Sequence, residues 1–386
     1  MGEHSVIAPS SAHIFGPPNG CRAYPKMAQL FPEEETEEAR IGTATHELGA
    51  QMISALARAG LNCPKREEVV GTVAANSVVY DDEMYDGAEM YAQDVAEVMR
   101  QTDCFNPHVE DRVLAARIHE LSWGTTDCWL YSPKHATLYV WDFKFGHGVV
   151  EAFENWQSIN YTAGILDQLQ IDGISDQYLT VIIRIVQPRA YHREGPIREW
   201  KLKASDLRGY FNQLKLGVEE SLGNNPVARS GPHCKHCPAR HACGTALLGG
   251  WQLYEAATAP QPQLLSPEAL GVQLAIIKRA RKHLEAIETG YEAQVSSSLR
   301  SGNAVAGWSN EETLGRQKWN KPLAEVFKLG DLLGKNLRKE TAITPKQAIK
   351  LGLDASLINA YSAQSHSGYK LVPDDTNKAQ RIFKRT

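Results

Sequence analysis

Apolar and polar positions alternate from Thr126 to Leu130 and again from Thr137 to Phe145, a period of two that predicts two strands. Ser132 to His135, with Pro133 inside, supplies the turn, so the two strands read as a hairpin. A further strand opens near Val109. Gln177 to Gln187 is an almost continuous apolar run (Leu179, Val181, Ile182, Ile183, Ile185, Val186), which predicts a strand buried on both faces and partnered by Arg198 to Leu202. Helical spacing fills the intervals. One helix carries His46 onward to about Ala59, where Gly60 ends it; another spans about Asp81 to Arg100; a third begins near Glu151; Ser205-Asp206 opens a fourth that runs to about Glu220. Near the start, Ser10 or Ser11 reads as a helix cap. The acidic run Glu33 to Glu35, with Glu37 and Glu38, reads as an exposed first turn. This order predicts an α/β core over residues 1–250, with a central mixed sheet flanked by helices.

Beyond Gly250 the pattern changes. A polar, proline-rich link, Ala257 to Pro267, leads into an amphipathic helix on which Leu270, Leu274, Ile277, Leu284, Ile287 and Tyr291 share a face, with Lys278, Arg279, Arg281 and Lys282 on the other. Gly307-Trp308 and Gln317-Lys318-Trp319 predict a short hairpin, and Lys378 to Arg385 is basic. Residues 251–386 therefore read as a mainly helical C-terminal extension. The charged face reads as a solvated helix face, with DNA guidance as the alternative; cations interleaved with tryptophans fit a DNA-binding or assembly role, although tryptophan is equally a core residue.

The chemistry concentrates between Gly124 and Tyr161. On the predicted hairpin, Asp127 and Asp142 can meet and hold a hard cation such as Mg²⁺ through oxygen. In Asp142-Phe143-Lys144 the outer side chains share one strand face while Phe143 points to the other, which lands Lys144 beside the metal, where it can position or help deprotonate water. Gln157 and Tyr161, spaced i, i+4, share a helix face and suit phosphate and base contacts. Taken singly, an Asp-x-Lys or a Gly-x-x-Asp is usually a solvated strand or a turn. The ordered set is what carries information.

Cysteine spacing gives an independent signal. Cys234, Cys237 and Cys243 form a C-x2-C-x5-C run suited to metal capture, and tetrahedral zinc or a cubane iron-sulfur cluster wants a fourth ligand. Cys21, in a loop before the first helices, is the candidate. His233, His236 and His241 keep a Cys3His zinc site open. Cys63, Cys104 and Cys128 lack ligand spacing and read as buried thiols.

At 386 residues and 42% hydrophobic content, the chain can form one large domain or two. A net charge of −4 excludes an all-over basic DNA binder but leaves room for a local basic stripe. No run of eighteen apolar residues predicts a membrane span. Seven cysteines and no apolar leader point to a reducing cytoplasm. No G-x-x-x-x-G-K-[ST] motif is present; Gly330 to Asn336 has the wrong spacing.

In motif order, His46 within Ile41 to Leu48, Gly124-Thr125-Thr126-Asp127, Asp142-Phe143-Lys144, then Gln157 and Tyr161, the chain resembles the RecB-like branch of the PD-(D/E)XK nuclease superfamily. Over nearly its whole length it also resembles a phage and prophage family of such enzymes, the early Pro9-Ser10-Ser11-Ala12-His13 and the late Leu371-Val372-Pro373-Asp374-Asp375 supporting the match only as short strings. The resemblance implies a restriction-endonuclease-like core and a metal-dependent DNA nuclease, an exonuclease of phage recombination or replication in the bacterial host cytoplasm. It implies Mg²⁺ or Mn²⁺ held by His46, Asp127, Asp142 and the Phe143 carbonyl, with Glu110 as an additional acid, and catalysis by Asp127, Asp142, Lys144, Gln157 and Tyr161. It implies a 4Fe–4S cluster on Cys21, Cys234, Cys237 and Cys243, closing the 1–250 domain. DNA is the implied partner, with a phage single-strand annealing or binding protein as a further candidate. Two rivals stand beside this reading: a catalytically silent DNA-binding or assembly protein, and a CRISPR-adaptation-type nuclease, which the long C-terminal extension disfavours.

Overall fold

The computed structural model describes residues 5–31, 35–58, 63–172, 175–260, 264–338, 344–350 and 353–373. The chain divides into two compact units: one of Met1–Glu34, Asn212–Thr313 and Tyr369–Thr386, the other of Glu35–Phe211 and Leu314–Gly368. This grouping cuts across the expected boundary at residue 250, because the N-terminal segment groups with residues 212–313.

The Glu35–Phe211 unit carries a five-stranded sheet in the order β1 (His108–Leu114), β2 (Trp123–Ser132), β3 (Thr137–Phe143), β4 (Thr180–Val186) and β5 (Ile197–Lys203). Every pairing is antiparallel except β3 with β4, which makes the sheet mixed. A parallel step needs a crossover, and the helix Trp156–Gln168 (α3) lies between those two strands in sequence. Before the sheet come α1 (Glu37–Ala57) and α2 (Asp82–Thr102). The three helices start where a side chain can take an orphan amide: Thr36 accepts from Ala39, Asp81 from Met84 and Asn155 from Ser158.

The core forms where α1 and α2 bury Leu48, Met52, Met84, Tyr91 and Met99 against Cys128, Leu130, Trp141 and Phe143 of the sheet. Trp141 is fully buried and donates its indole N–H to Asp94 Oδ2 at 2.7 Å, an oxygen that Arg184 also holds. Phe143 stacks on Tyr91 at 4.8 Å, and its burial contributes roughly 1.5–3 kcal/mol. With Phe143 fixed on that face, strand alternation turns Asp142 to the other.

In the other unit, α4 (Arg208–Leu222, begun in the sheet unit) is followed by a 3-10 turn Pro232–His236, α5 (Gly244–Thr258) and α6 (Pro267–Arg300). The packing face of α6 is turned away from most of the expected apolar face: Ile287 is buried as expected, but Leu270, Leu274, Ile277, Leu284 and Tyr291 stay exposed, while Ala280, His283, Ala286 and Gly290 are buried. Small residues let α5 and α6 approach closely, so packing here follows size rather than hydrophobicity. Residues 308 and 319 lie on one strand, β6 (Trp308–Trp319), paired with β7 (Ser362–Pro373), so the predicted local hairpin is replaced by a long-range pair. Ser11 precedes the short helix Ala12–Phe15 without capping it, and its Oγ lies 3.3 Å from the Tyr24 hydroxyl. Cys128 is buried, but Cys63 and Cys104 are only half-buried. The basic segment Lys378 to Arg385 lies outside the described residues, as do Asp374 and Asp375. Among the described residues, no helix is long and apolar enough to cross a membrane.

Candidate functional site

The β2–β3 ladder ends at acids, and the β1–β2 ladder is interrupted by them. The last β2–β3 pair is Cys128↔Trp141, and one residue farther out stand Asp127 and Asp142. On the other side of β2, the pairs Val109↔Cys128 and Asp111↔Thr126 bracket Glu110 and Asp127. Glu110 has φ 49°, the left-handed region that a residue with a Cβ avoids at a cost of roughly 1–2 kcal/mol. Such strain persists where the surroundings fix it, and here it lies beside two acids and a histidine.

His46, on α1, brings Nδ1 to 3.5 Å from Asp127 Oδ1 and 3.9 Å from Glu110 Oε1. One ligand atom from each of His46, Glu110 and Asp127 lies within 4.8 Å of the others, the one such trio among the described residues. Glu110, read from the sequence as an additional acid, is thus part of the tight group. Asp142 stands beside it: its Oδ1 takes hydrogen bonds from Lys144 Nζ at 3.0 Å and Gln157 Nε2 at 2.9 Å, while its Oδ2 is buried without a hydrogen-bond partner. An orphaned carboxylate oxygen next to three converging ligands fits a hard cation, since a buried acceptor left alone is costly.

Second contacts fix the first. The Phe143 amide donates to Asp127 Oδ2 at 2.6 Å, so in this structure Phe143 orients the acid through its N–H. Lys144 Nζ also donates to Gln157 Oε1 at 3.0 Å, closing a Lys144–Asp142–Gln157 triangle. Gln157, expected to meet substrate, is engaged in aiming Lys144. Tyr161, one turn along α3, is buried near the same carboxylates.

Charge follows geometry. Burial works against the His46 imidazolium, but Asp127 and then Glu110 outweigh it and raise the pKa to about 10. Burial likewise opposes the Asp127 carboxylate, yet His46 and Lys144 hold its pKa below the ordinary value. Asp142 is pushed up by burial, which Lys144 only partly offsets. For Lys144, burial is outweighed by Asp142 and Asp127, which raise its pKa and keep it an ammonium in the metal-free site. Burial, then the Asp127 and Asp142 charges, raise Tyr161 and keep its phenol protonated.

Replacing Glu110 by Gly should relieve the backbone strain while removing a ligand. Thermal denaturation without metal is expected to show a variant at least as stable as the parent, with Mn²⁺ affinity lowered about tenfold or more. A variant that unfolds earlier and binds Mn²⁺ equally well would strip Glu110 of this role.

The second constellation lies in the other unit. The amides of Arg22 and Ala23 both donate to Val227 O, at 3.0 and 3.3 Å, and the Arg229 amide points at Cys21 Sγ at 3.5 Å. Gly20 permits this turn, since a Cβ there would stand 2.6 Å from Ile14 O. The Gly231 amide points at Cys234 Sγ at 3.4 Å. Burial would raise the Cys21 thiol, but His233 and the Arg229 amide bring it below its ordinary value. His233 is raised to about 10 by hydrogen bonds to Cys21 and then Cys234. Cys237 is pushed up to about 11 by burial, with charge on Cys21, Cys234 and Cys243 adding to it. Cys237 thus feels the other three thiols, and Cys21 and Cys234 each face a backbone N–H group, but among the described residues no three of these sulfurs lie within 4.8 Å of one another. Of the three histidines, His233 bonds to the cysteines, His236 edges against His13 at 6.0 Å, and His241 packs between Phe31 and Tyr291.

No curated protein matches the chain. A family described as a protein of unknown function, DUF2800, matches residues 4–353, from ahead of Cys21 to beyond α6 and β6. A match over that span includes both constellations, and the chain belongs to the DUF2800 family.

Proposed function

We propose that this chain is a metal-dependent deoxyribonuclease with a PD-(D/E)XK core of the RecB-like kind, an exonuclease serving phage recombination or replication. The observation that carries the reading is the convergence of His46, Glu110 and Asp127 beside an Asp142–Lys144 pair whose ammonium Gln157 aims. A binding module has no need of a buried acid with an unpartnered oxygen or of a lysine held against it.

Mg²⁺ or Mn²⁺, held by His46, Glu110 and Asp127 with Asp142 adjoining, would polarise the phosphoryl oxygen and lower the pKa of water at neutral pH. The protein's own groups do the rest. Asp127 is oriented by the Phe143 amide before any ligand arrives. Lys144, kept charged, donates to the attacking water or to a phosphoryl oxygen as negative charge builds. Tyr161, kept protonated, can donate to the phosphate of the scissile nucleotide. In the other unit, Cys21, Cys234, Cys237 and Cys243 would hold a 4Fe–4S cluster.

The test is anaerobically purified protein with Mg²⁺ or Mn²⁺ on end-labelled linear and covalently closed circular DNA. Loss of linear DNA alone identifies an exonuclease, and loss of circles as well an endonuclease. Lys144→Ala is expected to cut about 10²–10⁴-fold more slowly while still binding DNA. Cleavage that does not depend on Lys144, or no cleavage of either substrate, removes the catalytic reading and leaves a binding protein.

A further inference from the structure

A cavity of about 700 Å³ lies in the Asn212–Thr313 segment between α6 and the turn that carries Cys234. Its α6 wall presents Lys278 and Arg279 on one turn and Lys282 on the next, and Lys235, on the turn after Pro232, also lines it. The one carboxylate in the lining, Glu285, is engaged by Arg281 Nε at 3.1 Å. Among the described residues, none of the four lining cations has a carboxylate within ion-pair distance. A chain of net charge −4 thus gathers four uncompensated cations around one concavity, so the cluster is not a by-product of a basic chain. A solvated helix face would explain three exposed cations in a row. It does not explain a fourth on a separate wall across a cavity.

We propose that this cavity is a phosphate-gripping subsite for DNA, distinct from the His46–Asp127 centre and reading no sequence. The inference rests on the nuclease reading for its choice of polymer; the chemistry of recognition is carried by the lining alone. Apart from buried His283, whose Nε2 is 2.8 Å from Ala246 O, the lining holds no aromatic ring on which a base could stack. Lysine and arginine contacts of this kind neutralise backbone phosphates and release counterions, so the binding is salt-dependent and indifferent to base identity.

The experiment is fluorescence anisotropy of the full chain with a labelled DNA duplex in EDTA, where cutting is silent, over a series of salt concentrations. The variant K278A/R279A/K282A is expected to bind at least about tenfold more weakly at 0.1 M salt. Its log K against log salt slope should be shallower by up to about 2.7, since each lost phosphate contact removes roughly 0.9. The charge-keeping K278R/R279K/K282R should bind like the parent, which excludes a folding defect as the cause, and Lys235→Ala should weaken binding in the same direction. An unchanged affinity and slope in the triple alanine variant would overturn the subsite, as would equal weakening in the charge-keeping variant. Tighter binding of an RNA duplex of the same length would overturn the choice of DNA. The two readings fail separately: Lys144-dependent cutting by a chain whose binding ignores the triple variant sinks the subsite alone. Triple-sensitive binding without any cutting sinks the nuclease alone.

Discussion

Asp127→Asn is expected to abolish DNA cleavage and lower Mn²⁺ affinity by at least about a hundredfold, because a ligand matters more than the supporting contacts whose loss alone costs tenfold to a hundredfold. Asp127 lies close to His46 and accepts the Phe143 amide, so the substitution also releases the imidazole. In the metal-free protein the folded pKa of His46 is raised to about 10, above the unfolded value near 6.5. Its protonation therefore stabilises the fold fully below about pH 6.5, and that contribution is lost as pH rises through about 10. In Asp127→Asn the His46 pKa should fall toward its ordinary value, which an NMR titration would follow. The same linkage predicts that metal binding expels a proton, since a histidine ligand must be neutral. Calorimetry of Mn²⁺ binding near pH 7.5 in two buffers of different ionisation enthalpy should report about one proton released. Equal heats in both buffers, or unaltered affinity in the variant, would place the ion elsewhere.

The other large effect is expected from the cysteines. Cys237→Ser should cost the Cys21-bearing unit much of its stability, because binding free energy of a structural metal group is folding free energy. A loss of several kcal/mol translates to roughly 10 °C or more in thermal midpoint. Iron content and the visible colour of anaerobically purified protein should fall together with it, and Cys21→Ser should behave alike. Zinc in place of iron, with a colourless parent, would replace the cluster by a zinc site. Retention of metal in Cys21→Ser with its loss in His233→Ala would make His233 the fourth ligand, a choice its hydrogen bonds to Cys21 and Cys234 leave chemically accessible.

Most of the sheet was legible because its strands obey simple periods. The alternation over Thr126–Leu130 and Thr137–Phe145 became β2 and β3, and the continuous apolar run became β4, buried between two neighbours in the sheet. That Asp127 and Asp142 stand side by side just beyond the last β2–β3 pair followed from counting outward along one hairpin, but Asp142 lies outside the trio of ligand atoms that converge. Glu110 was harder, because its participation depends on a left-handed φ that no sequence period encodes. Gln157 was found but given a different task, since a helix face says where an amide points and not which neighbour reaches it first. Two expectations beyond residue 250 did not hold. Five of the six larger hydrophobes expected to pack on α6 lie outward, Ile287 excepted, because alanine and glycine let α5 come closer, and the tryptophans at 308 and 319 occupy one strand whose partner is far along the chain. Burial against small residues and long-range pairing both depend on tertiary context.

The hydrogen bond from the Arg229 amide to Cys21 Sγ joins positions 208 residues apart, and it sets an order of events during synthesis. At about 5–20 residues per second, the N-terminal segment waits roughly 10–40 s for its partner to leave the ribosome. All five strands of the sheet, which ends at Lys203, emerge before that partner. A nascent chain can thus pair the strands that carry Asp127 and Asp142 while the Cys21 thiol is still exposed to oxidants and stray metal ions.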